Sequence, residues 1–332
     1  MTTPLKLGML GMWHVHATGM ARQITAHPDE FKLVAAYDPE PAVVADRRQR
    51  WREFLGELPV CESVEDFLRQ PLDAVVVEGR VYQNVGWARQ AIESGRPVLM
   101  EKPAGDNYRD FASLAALAQS RGLHLQLVYL FRYMSAVQEM LSRGRRGDFG
   151  RLYQFRGRLP KNLSDYALNE TEVGGYPGGI FFEMAGHLID FMVTLLGPPR
   201  QIKSILAHHH TAPGSFIDNG AALFEFEHAL GMIDVPALEV AGDCRRIELF
   251  GYAGACVIPH LGSGHLGNNA VQPIEVFQPA NGWQRIEPRA AVLQISDLRE
   301  FAAVLRGKPP NFSLEHDLVV QRALIEASGM PA

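Results

Sequence analysis

Four groups of residues in this chain are of types that can do chemistry. Glu183 and His187 stand four apart. On a helix that spacing puts two polar heads on one face, where they can meet one substrate or pair with each other. Lys102 sits in Glu101-Lys102-Pro103, directly after the apolar run Val98 to Met100. A lysine at the end of a buried strand, beside a proline that stiffens the turn, is unfavourable unless its ammonium has a task. Asp38 follows the run Phe31 to Tyr37. An acid there can accept from both ribose hydroxyls of an adenosine and repel a 2′-phosphate, which favours NAD over NADP; followed by Pro39, it also reads as an Asp-Pro turn. The fourth group is Gly11-Met12-Trp13-His14-Val15-His16, after the short apolar run KLGML. A nucleotide-binding enzyme places a glycine-rich turn here, so the stretch is a phosphate cradle, a metal site, or neither. His14 and His16, with Glu183 and His187, supply three imidazoles and a carboxylate, a legitimate transition-metal set.

The elements that must carry these residues fall into two regimes. Strand candidates Leu5 to Leu10, Phe31 to Tyr37, Asp73 to Val77, Val98 to Met100 and Leu125 to Tyr129 are short apolar runs of the kind buried in a parallel sheet. Amphipathic stretches separate them, clearest at Asn84 to Ser94 and Tyr108 to Arg121, closed by Gly95 and Gly122. The alternation predicts an α/β, Rossmann-type doubly wound sheet over residues 1–131. Beyond it, RLYQFRGR, AALFEFEH and RRIELFGY alternate apolar with polar positions, as half-buried antiparallel strands do. One long helix from Gly179 to Leu196 interrupts them, stopped by Gly197, Pro198 and Pro199. Residues 132–332 therefore read as an α+β domain with a large, mostly antiparallel open sheet, ending in helices over Ile295 to Arg306 and Leu314 to Ser328. The run His208, His209, His210 reads as solvated.

Composition narrows the function classes. The chain has 332 residues, long enough for two cores, and a net charge of −5 with dispersed basic residues, which argues against nucleic acid as a partner. Cys61, Cys244 and Cys256 are far apart and lack CxxC spacing, so neither a disulfide framework nor a zinc knuckle is suggested. No run approaches the roughly 20 apolar residues of a membrane span, and the N-terminal apolar run is too short for a signal peptide. A cytoplasmic location without membrane contact is expected.

Taken together, KLGMLG, AAYDPE, DAVVVEGRVYQNVGWARQAIESGRPVLMEKP, LFRY and GGIFFEMAGHLIDFMVTLLG resemble the Gfo/Idh/MocA family of NAD(P)-dependent oxidoreductases over nearly the whole chain. The resemblance implies hydride transfer between a nicotinamide cofactor, NAD favoured and NADP less so, and a secondary alcohol of a sugar, polyol or related compound. It implies Lys102 beside the nicotinamide, with Glu183 and His187 completing the catalytic set. Oxidising an alcohol needs a base of near-neutral pKa, which His187 supplies. Lys102 would stabilise alkoxide character, and Glu183 would orient the imidazole or a second hydroxyl. The family pattern also implies a homodimer or homotetramer built on the second domain's open sheet face.

The cofactor set that follows comprises Gly11, Met12, Trp13, His14, Val15, Asp38, Gly79, Arg80, Asn84, Glu101 and Lys102, and the substrate set Arg132, Lys161, Tyr166 and Asp190. Departures from the pattern are informative. Glu183 stands where members usually carry Asp, and Gly79, Arg80 and Asn84 occupy the positions of a usual Thr-Pro pair and histidine. Arg132 keeps the arginine of the segment, but Leu130 and Phe131 replace the asparagine often found before it. In the turn after the first strand, Trp13 and His16 replace the glycines that admit the pyrophosphate and allow close helix packing. The amides of Trp13, His14 and Val15 are left to meet the anion, so weaker cofactor binding or a shifted geometry is expected. Two other readings remain: a metal-dependent enzyme using His14, His16, Glu183 and His187, or a catalytically silent binding relative.

Overall fold

The computed structural model describes residues 3–162, 175–210, 216–240, 245–262, 272–288 and 295–332. The chain divides into two compact units, Met1–Tyr129 with Gln294–Leu314, and Leu130–Leu293 with Glu315–Ala332.

The first unit is built on five parallel strands, β1 (Leu5–Leu10), β2 (Phe31–Tyr37), β3 (Ala74–Val77), β4 (Val98–Glu101) and β5 (Leu125–Val128), in the order β2-β1-β3-β4-β5. Every residue of β3, β4 and β5 is buried, which is why these strands read as unbroken apolar runs. Helices α1 (His16–Ala26), α2 (Pro41–Leu55), α3 (Val64–Leu68), α4 (Val81–Glu93) and α5 (Tyr108–Ser120) connect them. The α4 helix starts three residues before the expected Asn84, where the Gln83 side chain reaches back to accept the Arg80 N–H. Since the chain passes from β1 to β2 on one side and to β3 on the other, the strand order reverses at the carboxyl ends of β1 and β3. Ligands of such sheets bind there; Gly11 to His16 and Glu78 to Arg80 stand at those ends, and Glu101-Lys102 at the end of the neighbouring β4.

The second unit holds an eight-stranded sheet: β6 (Leu152–Arg158), β7 (Gln201–Ala207), β8 (Asn219–Glu225), β9 (Leu230–Pro236), β10 (Arg246–Gly251), β11 (Gly254–Ile258), β12 (Ile274–Gln278) and β13 (Gly282–Ile286). Its order is β13-β12-β11-β10-β6-β9-β8-β7, and only β6 and β9 run parallel among these neighbours. A 3-10 turn at Leu130–Tyr133 and α6 (Ser135–Arg146) lead into it. The helix α7 (Gly179–Leu196) packs on β6, β8 and β9. By length and composition it could cross a membrane, but 78% of it is buried in the protein, as a core helix is. The terminal helices are α8 (Ile295–Leu305) and α9 (Leu314–Ala327).

Two expectations change here. The α8 helix, expected with residues 132–332, belongs to the first unit: Gln126 donates to the Asp297 carbonyl, and Arg299 pairs with Glu30. In the histidine run His209 and His210 are exposed, as expected, but the run is also held: the buried carboxylate of Asp218 contacts His208 Nδ1 at 2.9 Å and accepts the His209 and His210 N–H groups.

Candidate active site

In the first unit the site begins at the turn after β1. Gly11 has φ +82°, a left-handed conformation that glycine adopts without strain. A Cβ there would lie 2.5 Å from the Gly79 Cα, and one on Gly79 would lie 2.1 Å from the Trp87 ring, so the two glycines and the indole close on one another. Gly79 is further fixed by its N–H, which donates to Asn84 Oδ1. Asn84, expected at the cofactor, is buried and accepts this backbone bond through Oδ1.

Asp38 lies where the sequence puts it, at the end of β2. Its Oδ2 accepts the Met12 N–H at 2.7 Å and its Oδ1 the Glu40 N–H at 2.9 Å. Burial raises its pKa against these two bonds. Arg47 of α2 donates to the carbonyls of Met12 and Trp13 and so pins the turn from outside. Arg80, expected at the cofactor, stands at the edge of this turn. Its fork engages both oxygens of Glu40, and its guanidinium lies 4.4 Å from the centre of the Trp13 ring, so it fastens the edge of the turn to the end of β2. Of the three amides expected to meet an anion, that of His14 donates to the Glu78 carbonyl at 3.0 Å. Among the described residues nothing accepts the N–H of Trp13 or Val15.

The imidazoles face inward. His16 Nδ1 is 3.0 Å from Glu101 Oε2, and His14 Nδ1 is 3.8 Å from the same oxygen and 3.6 Å from Glu78 Oε2. Burial, the largest influence, lowers the His14 pKa to about 3, so its ring is neutral. Burial also pushes Glu78 well above the usual carboxylate range, assisted by the charges of Glu101 and Asp297. For Glu101, burial acts upward but is outweighed by His16 and His14, and its pKa falls. Glu101 Oε1 accepts the N–H of Lys102, whose side chain is only 2% exposed. The sequence reading missed Glu78. An acid immediately after the apolar run Ala74 to Val77 was its available signal.

In the second unit, Glu183 and His187 lie on successive turns of α7, with His187 buried and its ring stacked on Phe131 at 4.2 Å. Arg132 and Asp190, expected at the substrate, are partners in a buried ion cluster. Arg132 donates to Asp190 through Nε and Nη2 and to Asp317 Oδ1 at 2.5 Å, while His316 Nε2 contacts Asp190 Oδ1 at 2.7 Å. His316 and Asp317 were missed too, and no spacing ties them to residues more than a hundred positions earlier. Lys161 lies just past β6, its N–H donating to the Pro236 carbonyl. Tyr166 lies outside the described residues.

Comparison with known proteins extends these observations. Residues 5–129 match the model of the oxidoreductase family with an NAD-binding Rossmann fold, and residues 136–257 match the GFO/IDH/MocA C-terminal domain. The chain is 26% identical over 226 residues to a dTDP-3,4-didehydro-2,6-dideoxy-alpha-D-glucose 3-reductase of Streptomyces violaceoruber, an alignment spanning 66% of this chain and 62% of that protein. Its fold is similar to UDP-N-acetylglucosamine 3-dehydrogenase from Acidithiobacillus ferrooxidans, with TM-score 0.80 and 15% identity over 99% of this chain and 98% of that one. It is also similar to KijD10, a 3-ketoreductase from Actinomadura kijaniata solved with TDP-benzene and NADP, with TM-score 0.78 and 20% identity over 98% and 96% of the two chains. With both halves of the family's pattern present in sequence and fold, the chain belongs to the Gfo/Idh/MocA family of oxidoreductases.

Proposed function

We propose that this protein transfers a hydride between a nicotinamide dinucleotide, NAD in preference to NADP, and a secondary alcohol or the corresponding ketone of a sugar-related molecule. The observation that carries this reading is Lys102, an almost fully buried ammonium at the carboxyl end of β4 on an NAD-binding fold. The residues at the β1 turn fit a dinucleotide. Gly11 and Gly79 leave no room for a Cβ, the Trp13 and Val15 amides stand at the start of α1, and Asp38 ends β2. Each Asp38 oxygen accepts one backbone N–H and keeps a second lone pair for a ribose hydroxyl. With Glu40 beside it, a 2′-phosphate meets two carboxylates, which supports NAD. The named activities of the relatives above, on nucleotide-linked sugars, support a sugar-related substrate.

When bound, the nicotinamide supplies the hydride donor or acceptor. Lys102 holds the reacting oxygen and stabilises the charge that grows on it. His187 takes the hydroxyl proton in oxidation and returns it in reduction, and Glu183 orients that imidazole or a neighbouring hydroxyl. The test is turnover, followed at the NADH absorbance, across a panel of sugars, polyols and nucleotide sugars with each dinucleotide. Lys102→Met and His187→Asn are expected to lower kcat by about a hundredfold or more. NADH affinity, read by fluorescence, should change by less than about threefold in His187→Asn. Full activity in both variants, or turnover of no substrate in the panel, would overturn the reading.

A further inference from the structure

Two clusters of metal-ligating side chains occur among the described residues: His14, His16 and Glu101 in the first unit, and Asp190, His316 and Asp317 in the second. The second is already balanced by the guanidinium of Arg132, which occupies its centre. The first has no guanidinium at its centre among the described residues, although the Lys102 ammonium acts on it from nearby. Its candidate donor atoms all lie within 4.8 Å of one another, with separations of 3.0 Å from His16 Nδ1 to Glu101 Oε2 and 3.8 Å from His14 Nδ1 to that oxygen. A tetrahedral ion with bonds of roughly 2.1 Å sets its donors about 3.4 Å apart, and these distances bracket that value.

Glu78 supplies an independent observation. It is 0% exposed, and neither of its carboxylate oxygens has a hydrogen-bond partner in the structure. A buried carboxylate left in that state is unfavourable by several kcal/mol in order of magnitude unless something compensates it. Its Oε2 stands 3.6 Å from His14 Nδ1, at the edge of the three-donor group. We propose that His14, His16 and Glu101 bind one divalent transition-metal ion, with the unpartnered Glu78 beside them as a further acid that the ion's charge compensates.

The donor set selects the class of ion. Two imidazoles and a carboxylate suit zinc, manganese, iron(II) or cobalt(II); calcium and magnesium prefer all-oxygen shells, and copper(I) prefers sulfur. The carboxylate of Glu101, with Glu78 beside it, offsets the charge of the ion. The donors stand at strand ends and at the start of α1, and the ion would displace two contacts: the 3.0 Å hydrogen bond between His16 Nδ1 and Glu101 Oε2, and the long one, 3.3 Å, from the His16 N–H to His14 Nδ1. This site goes beyond the hydride-transfer reading, which needs no metal, and it places one donor, His16, at a usual glycine position of the β1 turn.

The experiment uses chelator-treated full-length protein. Zinc uptake is measured by equilibrium dialysis with elemental analysis, and cobalt(II) uptake by its visible absorption. One equivalent per chain is expected, and zinc should raise the melting temperature. His14→Ala, His16→Ala and Glu101→Gln should each weaken uptake by about tenfold or more, whereas His228→Ala, 60% exposed on a turn, should not change it. If a histidine variant fails to fold, the isosteric Glu78→Gln and Glu101→Gln report in its place through weaker uptake and loss of the zinc-dependent melting shift. Absence of saturable uptake, or equal uptake in wild type and these glutamine variants, overturns the proposal. Metal uptake is read without turnover, so failure of the dehydrogenase reading leaves this result standing, and the reverse also holds.

Discussion

Arg132 sits in a cluster whose charge balance is unusual for a protein interior. One guanidinium meets two carboxylates, Asp190 and Asp317, with His316 on the outer side of Asp190. Burial by itself lowers the pKa of Arg132, but its two aspartates raise it well above the ordinary value, so the cation is permanent. Removing it strands two buried acids. Arg132→Met is expected to destabilise the protein by roughly 3–5 kcal/mol, read by urea denaturation. The triple replacement of Arg132, Asp190 and Asp317 by apolar residues of similar volume should cost less than the single change, since no charge is then left alone. A loss below about 1 kcal/mol for Arg132→Met would mean that the acids protonate and the cluster is not held by charge. Because Asp190 is one turn past His187 on α7, the cluster also fixes the rotation of the helix that presents His187. From the sequence, Asp190 was visible as a neighbour of His187, but its partners were not. They stand 58 and 126 positions away in the chain, and nothing in local spacing reports a contact of that range.

At the scale of elements, the turn from β1 to α1 depends on a residue of α4. Trp87 fills the space that a side chain at Gly79 or Gly11 would need. Gly79→Ala is expected to destabilise by about 1–3 kcal/mol through overpacking and to weaken NADH binding, because the displaced indole pushes on the turn. The double variant Gly79→Ala with Trp87→Leu removes the clash and should bind NADH more tightly than Gly79→Ala alone. If the second change gives no recovery, the coupling between α4 and the turn is not as the packing describes. The strands on either side of this turn were legible because short, fully buried parallel strands have a strong signature: apolar runs ending in a glycine or an acid. The start of α4 was not, since Arg80 at the N-cap has no acceptor and only Gln83 reaches back to its N–H. The role of Glu78 was hidden for a topological reason. It meets His14 only because β3 lies beside β1, and strand order is not written in either strand.

At the scale of the whole molecule, the second unit's sheet has two unlike faces. One carries α7. On the other, the register aligns Lys203, Leu223, Met232, Arg156 and Glu248 in a row across five strands, with Ile205, Ala221, Asp234, Arg158 and Arg246 in the next. Ile205 is 79%, Leu223 52% and Met232 41% exposed, so the apolar centre of this face is open and is bordered by charges of both signs. A contiguous apolar patch with a charged rim is the composition of a protein–protein interface, and the mixed rim is self-complementary, as a two-fold contact between identical surfaces requires. The homo-oligomer implied by the family resemblance therefore has a specific surface to test. Wild-type protein at about ten micromolar should sediment as a dimer or tetramer. Leu223→Lys with Met232→Lys sets two ammonium groups against their symmetry mates at the centre of the patch, where like charges are desolvated and repel. That variant should sediment as a smaller species with its far-ultraviolet spectrum unchanged, because both side chains point away from α7 and the core. A wild-type monomer would rule out the oligomer, and an unchanged mass in the folded variant would place the contact on another surface.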